Sequence, residues 1–179
     1  MAQVLPGRYT AQIDKSFVVF LIGMRINRFF AFAKWIPMVM AMGPMIRTLY
    51  EHPESGFLGA RTLLSGRGVT VVQYWRSFED VERFARNPGD LHMKAWRRFN
   101  AAVGYKTGSV GIWHETYAVE PGHYEAFYGN MPITGLAAAT SHVSLKGGRD
   151  TARQRMHPSR TTTAEPSAQP QDGRQVADA

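Results

Sequence analysis

The chain has 179 residues and a net charge of +7, from 21 lysines and arginines against 14 acidic residues. This length gives room for one domain with a sizeable core. The positive charge forms no stripe interleaved with aromatic residues, so we expect no nucleic-acid partner. The chain contains no cysteine, which excludes disulfide bonds, thiolate metal sites and catalysis by a cysteine nucleophile.

The first two apolar segments predict a strand and a helix. Residues 1–16 lack the basic segment and apolar stretch that export requires, so we expect a cytoplasmic protein. Phe17–Met24 reads FVVFLIGM, a short continuous apolar run typical of a strand covered on both faces. Trp35–Tyr50 contains two prolines and ends at His52-Pro53, which predicts a kinked, buried helix. We therefore expect no stable membrane insertion, with a role at a membrane surface as the alternative.

The middle of the chain predicts a β-hairpin. Gly56–Ser65 and Val69–Arg76 are apolar runs joined by a short loop that contains glycine. Because side chains alternate between the two faces of a strand, Val71, Gln73 and Trp75 share one face of the second run.

Two helices and a strand are predicted after the hairpin. Ser77 is placed as an N-cap, and the helix that follows it ends at Asn87-Pro88. A second helix covers residues 90–104 and closes at a glycine. Ser109–Val119 then alternates as a strand and is stopped by a proline and a glycine.

This order of elements predicts an α+β fold, a ferredoxin-like four-stranded antiparallel sheet with helices on one face. The first strand is apolar on both sides, so the uncovered sheet face needs a cover. That cover is either a second copy in a homodimer or a lid made of the segment after Val119. From Ser141 onward the chain lacks apolar residues to bury, so we divide it into a folded domain at 7–140 and a disordered basic tail at 141–179.

An ordered series of sequence blocks resembles a known family. The blocks are FVVFLIGMRINRFF, GFLGAR, VQYWRSFEDVERFARN, AWRRFNAAVG, VGIWHETY and YGNMP, and the resemblance covers Gly7 to Leu136. They resemble a largely uncharacterised bacterial and fungal "monooxygenase family", whose fungal members include a fumagillin-pathway monooxygenase of the antibiotic-biosynthesis type. The resemblance implies a dimeric α/β-barrel and oxygenation of a small apolar organic substrate by O₂. It also implies that no metal, flavin or haem is needed, because the substrate's own carbanion-like form donates an electron to O₂.

The second predicted helix carries one candidate site. His92, Trp96 and Asn100 are spaced four residues apart and therefore lie along one helix face. His92 is a candidate base, Asn100 a candidate donor to an enolate oxygen, and Trp96 a candidate wall and N–H donor. The alternative is a solvated helix edge that Trp96 anchors to the sheet.

The last predicted strand carries another candidate site. Alternation places His114 on one face and Trp113, Glu115 and Tyr117 on the other, where they are candidate substrate contacts. An ionisable side chain inside an apolar strand needs a partner, so we expect His114 or Glu115 to face a cavity or a buried hydrogen bond. His114 is a candidate base, carbonyl-orienting group or haem ligand. The alternative is a buried histidine satisfied by neighbouring backbone or by Tyr74.

Further candidate substrate contacts come from the hairpin and from the segment near residue 130. Trp75 and Arg76 end the hairpin, and Arg76 is either a cationic anchor for the substrate or, as we favour, the ion-pair partner of a nearby acid such as Asp80. Tyr128 and Asn130 are predicted at the cavity mouth, with ordinary lid packing as the alternative.

The sequence leaves three functions open. The first is a cofactor-independent monooxygenase, and the second is a haem enzyme of the haem oxygenase or aldoxime dehydratase type. The third is a non-catalytic module that binds a hydrophobic ligand. The six histidines show no metal-ligand spacing, so no protein-bound metal is expected. No dinucleotide fingerprint, phosphate loop or hydrolase elbow is present in the sequence.

Overall fold

The computed structural model describes residues 2–86, 97, 108–146 and 149–156. Within these residues the chain forms strands and helices in two layers on either side of a central sheet. The strands are β1 (Leu5–Gln12), β2 (Phe17–Ile26), β3 (Phe57–Ser65), β4 (Gly68–Trp75), β5 (Val110–Val119), β6 (Tyr128–Met131) and β7 (Ser141–Ser144). The helices are α1 (Phe32–Glu51), α2 (Phe78–Arg86), α3 (Leu136–Ala139) and α4 (Ala152–Met156), with a 3₁₀ turn at Pro53–Ser55.

The central sheet is the predicted ferredoxin-like sheet. Its strand order is β3-β4-β2-β5, and each neighbouring pair is antiparallel. β3 and β4 form the predicted hairpin, which closes where Ser65 pairs with Gly68. β2 lies between β4 and β5, which explains why its sequence is apolar on both faces. The predicted fold class is therefore confirmed.

Helices α1 and α2 cover one face of this sheet. The core on this side joins Val18 of β2, Leu49 of α1, Phe57 of β3, Trp75 of β4 and Val81 of α2. Each of these side chains is buried. This face is called the helix side below.

Helix α1 agrees in position with the helix predicted at Trp35–Tyr50 and begins three residues earlier, at Phe32. The expected burial is wrong, because Leu49 is its buried residue and Ile36 and Met40 on its outer face are exposed. Pro37 and Pro44 lie inside α1. No helix among the described residues combines the length and the apolar character needed to cross a membrane.

A second, smaller sheet packs against one end of the opposite face. Its order is β6-β1-β7, and its core joins Ala11 of β1 and Leu136 and Ala137 of α3 to Phe17 of the central sheet. The segment after Val119 thus supplies a lid for this end, as the lid alternative predicted. The remainder of this face, called the open face below, carries the exposed aromatic side chains of β5.

The predicted boundary between a domain at 7–140 and a disordered tail at 141–179 is wrong at its start. Ser141–Ser144 forms β7 and pairs with β1, and Ala152–Met156 forms α4. Ser141–Ser144 is largely polar, so its composition resembles a tail, but backbone pairing with β1 orders it and buries Val143. Residues 157–179 lie outside the described residues.

Candidate functional site

A small cavity lies between the helix side of the sheet and the two helices. It measures about 40 Å³ and is enclosed mainly by apolar side chains. Phe20, Ile22, Gln73 and Trp75 form its floor. Its lining residues are Phe20, Ile22, Met42, Met45, Ile46, Leu49, Gln73, Trp75, Val81, Phe84 and Ala85.

Two of these lining residues carry a polar group: Gln73 has a side-chain amide, and Trp75 has an indole N–H. Both residues are buried, with 5 % and 0 % of their surfaces exposed. The Nε1–H of Trp75 donates a hydrogen bond of 2.9 Å to Oε1 of Gln73. This bond fixes the orientation of the amide, with its oxygen towards Trp75. The amide nitrogen of Gln73 is then left to donate to another acceptor. The cavity therefore combines an apolar wall with an oriented N–H donor.

His114 lies on the same face of the sheet as this cavity. It pairs with Ile22 across β2 and β5, and its ring centroid lies 5.8 Å from that of Phe20. His114 and Glu115 are both exposed, so neither makes the buried hydrogen bond expected for one of them, and neither lines this cavity. β5 is an edge strand, so water reaches the ionisable groups that a central strand would have buried.

The other predicted contacts on β5 point away from the cavity. Trp113, Glu115 and Tyr117 share the open face, as alternation predicted. The indole of Trp113 covers Gly23 so closely that a Cβ atom at Gly23 would overlap it. The hydroxyl of Tyr117 donates a 2.7 Å hydrogen bond to Glu115, and this bond, together with the carboxylate charge, raises the pKa of Tyr117. The sheet separates these three side chains from Gln73.

Arg76 forms the ion pair that we favoured from the sequence. Its guanidinium donates to the Asp80 carboxylate at 2.9 and 3.2 Å, and Arg83 donates to the same carboxylate at 2.7 Å. The backbone N–H of Asp80 donates to Oγ of Ser77, which confirms Ser77 as the N-cap of α2. Gly56 lies against this carboxylate, where a Cβ atom would overlap it. Arg76 therefore anchors the start of α2 and does not face the cavity.

The Asp80 pair predicts a dependence of stability on pH. Burial by itself raises the pKa of Asp80, but the hydrogen bonds from Arg76 and Arg83 outweigh it, and the net pKa lies below the usual 3.8. A carboxylate with a lowered native pKa stabilises the fold above its unfolded pKa, and this stability is lost as pH falls through the native pKa. We expect Asp80→Asn to lower the free energy of unfolding at pH 7 by about 1–2 kcal/mol, since the guanidiniums are largely exposed.

Urea unfolding of the wild type and Asp80→Asn, from pH 7 to about pH 2, measures this effect. The two curves should converge in acid. A constant difference between them across the whole pH range would contradict the assignment. Glu82→Gln is the matched control, because Glu82 pairs with Arg86 on the exposed side of α2.

Tyr128 and Asn130 lie on the other side of the central sheet. Tyr128 contributes to an open cleft of about 390 Å³, lined also by Tyr74, Tyr124 and Phe17. The hydroxyl of Tyr128 accepts a hydrogen bond from the backbone N–H of Ala137. Asn130 accepts one from the backbone N–H of Gly7. Tyr128 and Asn130 thus hold the small sheet and its lid together, in agreement with the lid alternative, and do not lie at the mouth of the Gln73 cavity.

The predicted trio His92, Trp96 and Asn100 lies outside the described residues. Of the set predicted from the sequence, Trp75 lines the cavity, and His114 lies on the same face of the sheet without lining it. The structure adds Gln73, which had not been assigned a role. The signal was present in the alternation of β4, because a glutamine on the most apolar face of the best strand needs a polar partner.

A family model described as "Monooxygenase af470-like" matches residues 17–136, which is more than half of the chain. The chain belongs to the monooxygenase af470-like family. This match confirms the resemblance drawn from the sequence blocks. Monooxygenase af470 of Aspergillus fumigatus is 30 % identical over an alignment of 152 positions, which covers 73 % of this chain and 53 % of the fungal protein. The chain thus spans about half the length of that relative.

The fold of this af470-like chain also occurs in a solved structure. The crystal structure of an aldoxime dehydratase aligns over 81 % of this chain and 45 % of its own, with a TM-score of 0.60 and 17 % identity. Such a likeness shows the fold alone. SnoaB, a cofactor-independent oxygenase from Streptomyces nogalater, aligns over 57 % of this chain and 91 % of its own, with a TM-score of 0.42 and 11 % identity. A score that low supports no conclusion.

Haem does not fit the described part of this af470-like site. The cavity of about 40 Å³ is far smaller than a porphyrin, a large rigid group that rotation of one or two side chains would not admit, and no histidine of the described residues lines it. The other predicted haem ligand, His92, lies outside the described residues. Within the described part of the chain, no group of three or more potential metal ligands comes together.

Proposed function

We propose that this protein is a monooxygenase that places one atom of O₂ in a small apolar organic molecule and needs no metal, flavin or haem. The observation that carries the proposal is the buried amide of Gln73, which Trp75 orients in an apolar cavity. A preorganised donor in a site that excludes water stabilises a developing anion far more than it would in water. Membership of a family named for a monooxygenase supports the oxygen chemistry.

In the proposed reaction the substrate supplies all four electrons that reduce O₂. A base removes a proton from an enolisable CH₂ group, and an N–H of Gln73 donates to the oxygen of the resulting enolate. The carbanion-like carbon gives one electron to O₂ and then combines with the superoxide, which yields a peroxide anion. Protonation gives a hydroperoxide, and loss of water leaves a carbonyl. One CH₂ group and one O₂ molecule thus become one C=O group and one water molecule.

A substrate enters this cavity only if its walls move. The present volume suits a guest about the size of a water molecule. Met42 and Met45 form part of the α1 wall, and methionine side chains repack at low cost because they are unbranched and flexible. We therefore propose that rotation of these methionines opens the space beside Gln73.

A histidine is the proposed base. His114 shares the face of Phe20 and Ile22, which line the cavity, and it is exposed enough to exchange a proton with water. His92, with Trp96 as wall and Asn100 as donor, is the second proposed set. A homodimer is also proposed, because the open face of the sheet carries Trp113 and Tyr117 with 39 % and 51 % of their surfaces exposed. A cytoplasmic location stays a prediction.

Oxygen uptake tests the proposed function. The purified chain is offered enolisable aromatic and terpenoid compounds in ¹⁸O₂, and one labelled atom is expected in the product and one in water. An absorption spectrum before and after addition of haemin is the control. A stoichiometric Soret band required for turnover would favour the haem alternative. Tight binding of the same compounds without oxygen uptake would favour the binding module, and either result would contradict the proposal.

A further inference from the structure

An exposed aromatic patch surrounds the start of α1. It consists of Phe29, Phe30, Phe32 and Trp35, and the ring centroids of its contacting pairs lie 5.6–6.3 Å apart. Phe30 is 86 % exposed and Phe29 is 53 % exposed. The indole N–H of Trp35 donates a 2.8 Å hydrogen bond to the backbone oxygen of Phe29, which holds the loop against the helix. The patch is therefore an ordered apolar surface that faces water.

The outer face of α1 extends this patch. Phe32, Ile36 and Met40 are spaced four residues apart and lie on one helix face, and all three are exposed. The inner face packs on the sheet through residues such as Met42 and Leu49. A helix that is apolar on both faces needs a cover on its outer side as well.

The charge around the patch has one sign, so basic and aromatic side chains do lie together here, contrary to the expectation from the sequence. The sequence has no acidic residue between Asp14 and Glu51, while this stretch carries five lysines and arginines. The tip of the β3–β4 hairpin adds Arg67, whose guanidinium donates to the backbone oxygen of Asn27 at 3.2 Å. Within the described part of the chain, the cations nearest the patch take part in no ion pair. These patch cations are Arg25, Arg28, Lys34 and Arg67.

We propose that the aromatic patch and the patch cations form a docking surface for an anionic lipid membrane. Exposed phenylalanine and tryptophan side chains enter the boundary between headgroups and acyl chains, while lysine and arginine bind the anionic headgroups. Helix α1 then lies in the plane of the membrane, with its outer face in the lipid and its inner face on the sheet. This surface does not depend on which reaction the cavity performs.

The positive charge around the patch favours a lipid membrane, and not a second copy of the chain, as the partner that covers it. Two copies joined through the same patch would place the patch cations of one against those of the other, and like charges brought together weaken an interface. An anionic membrane offers the opposite charge over an extended surface. It also needs no complementary pocket for Phe30, whose side chain projects into solvent.

Vesicle flotation tests this docking surface. The full chain is mixed with vesicles of phosphatidylcholine alone or of phosphatidylcholine with phosphatidylserine. We expect binding to the mixed vesicles, at least tenfold weaker binding to the neutral vesicles, and loss of binding as salt is raised, because each nearby cation contributes roughly fivefold. Equal binding to both kinds of vesicle, or no binding to either, would overturn the proposal.

Two variants and a matched control locate the contact. Phe29→Ser/Phe30→Ser removes the exposed rings, and Arg28→Glu/Lys34→Glu reverses two patch cations. Each should lower the partition coefficient on mixed vesicles by about tenfold or more. Ile133→Ser replaces an apolar residue outside the patch that is about as exposed as Phe29, and it should leave the partition coefficient unchanged.

Thermal melts show whether each variant is folded, and sedimentation velocity reports its oligomeric state. Unchanged vesicle binding in both patch variants would overturn the assignment. So would a change from dimer to monomer in Phe29→Ser/Phe30→Ser, because a second copy of the chain would then be the occupant of the patch.

Discussion

Replacing Gln73 with methionine is expected to lower kcat by about 100- to 1,000-fold, the usual effect of removing one donor to a developing oxyanion. Methionine has nearly the shape of glutamine, so the cavity keeps its volume and its apolar walls. The amide N–H is what disappears. KM should change much less than kcat if the hydrogen bond strengthens as the enolate forms. Oxygen uptake at saturating substrate, with the best compound from the panel, measures the effect.

Trp75→Phe is the matched variant for this test. Both substitutions remove the buried hydrogen bond between Trp75 and Gln73, but Trp75→Phe keeps the Gln73 amide. We expect it to reduce kcat by about tenfold or less, since the amide loses its fixed orientation and keeps its donor. Equal losses in Gln73→Met and Trp75→Phe would mean that packing of the cavity matters and that the amide has no role of its own.

Replacing Trp75 with alanine is expected to lower the free energy of unfolding by about 3–5 kcal/mol, the usual range for a large aromatic side chain in a core. Trp75 has no exposed surface, and its ring centroid lies 5.3 Å from that of Phe57 and 5.5 Å from that of Phe84. Alanine would leave a cavity at the point where β3, β4 and α2 meet. Urea unfolding followed by circular dichroism measures the loss.

Phe78→Ala is the control for this loss. Phe78 begins α2 close to Trp75 in sequence, and half of its surface is exposed. Its replacement should cost less than about 1 kcal/mol, as surface substitutions usually do. A loss at Trp75 no larger than the loss at Phe78 would show that the helix side of the sheet is not the main core.

The central sheet was predictable because its residues carry a strong local signal. The apolar run of β2 needs burial on both faces in almost any fold, and the glycine loop between β3 and β4 favours a hairpin. The N-cap at Ser77 was predictable for a similar reason, since its hydrogen bond is made within the first turn of α2.

The small sheet was not predictable from local signals. β1 contains a proline, a glycine and an arginine, and β7 reads SHVS, so neither has the pattern of a strand. They are strands because each supplies backbone partners to the other, across more than a hundred residues of sequence. Pairing of this kind depends on where the rest of the chain folds, and a short polar segment gives no sign of it.

The candidate site, like the fold, has some features that the local sequence predicts and others that depend on long-range contacts. Alternation by itself determined which residues of β4 and β5 share a face, because the period of a strand is a local property. Only the tertiary structure decided which face meets α1 and α2, that β5 is an edge strand on which His114 meets water, and that Trp75 directs the amide of Gln73. Those outcomes depend on strand order and on contacts between residues far apart in sequence, whereas composition and periodicity describe only neighbours.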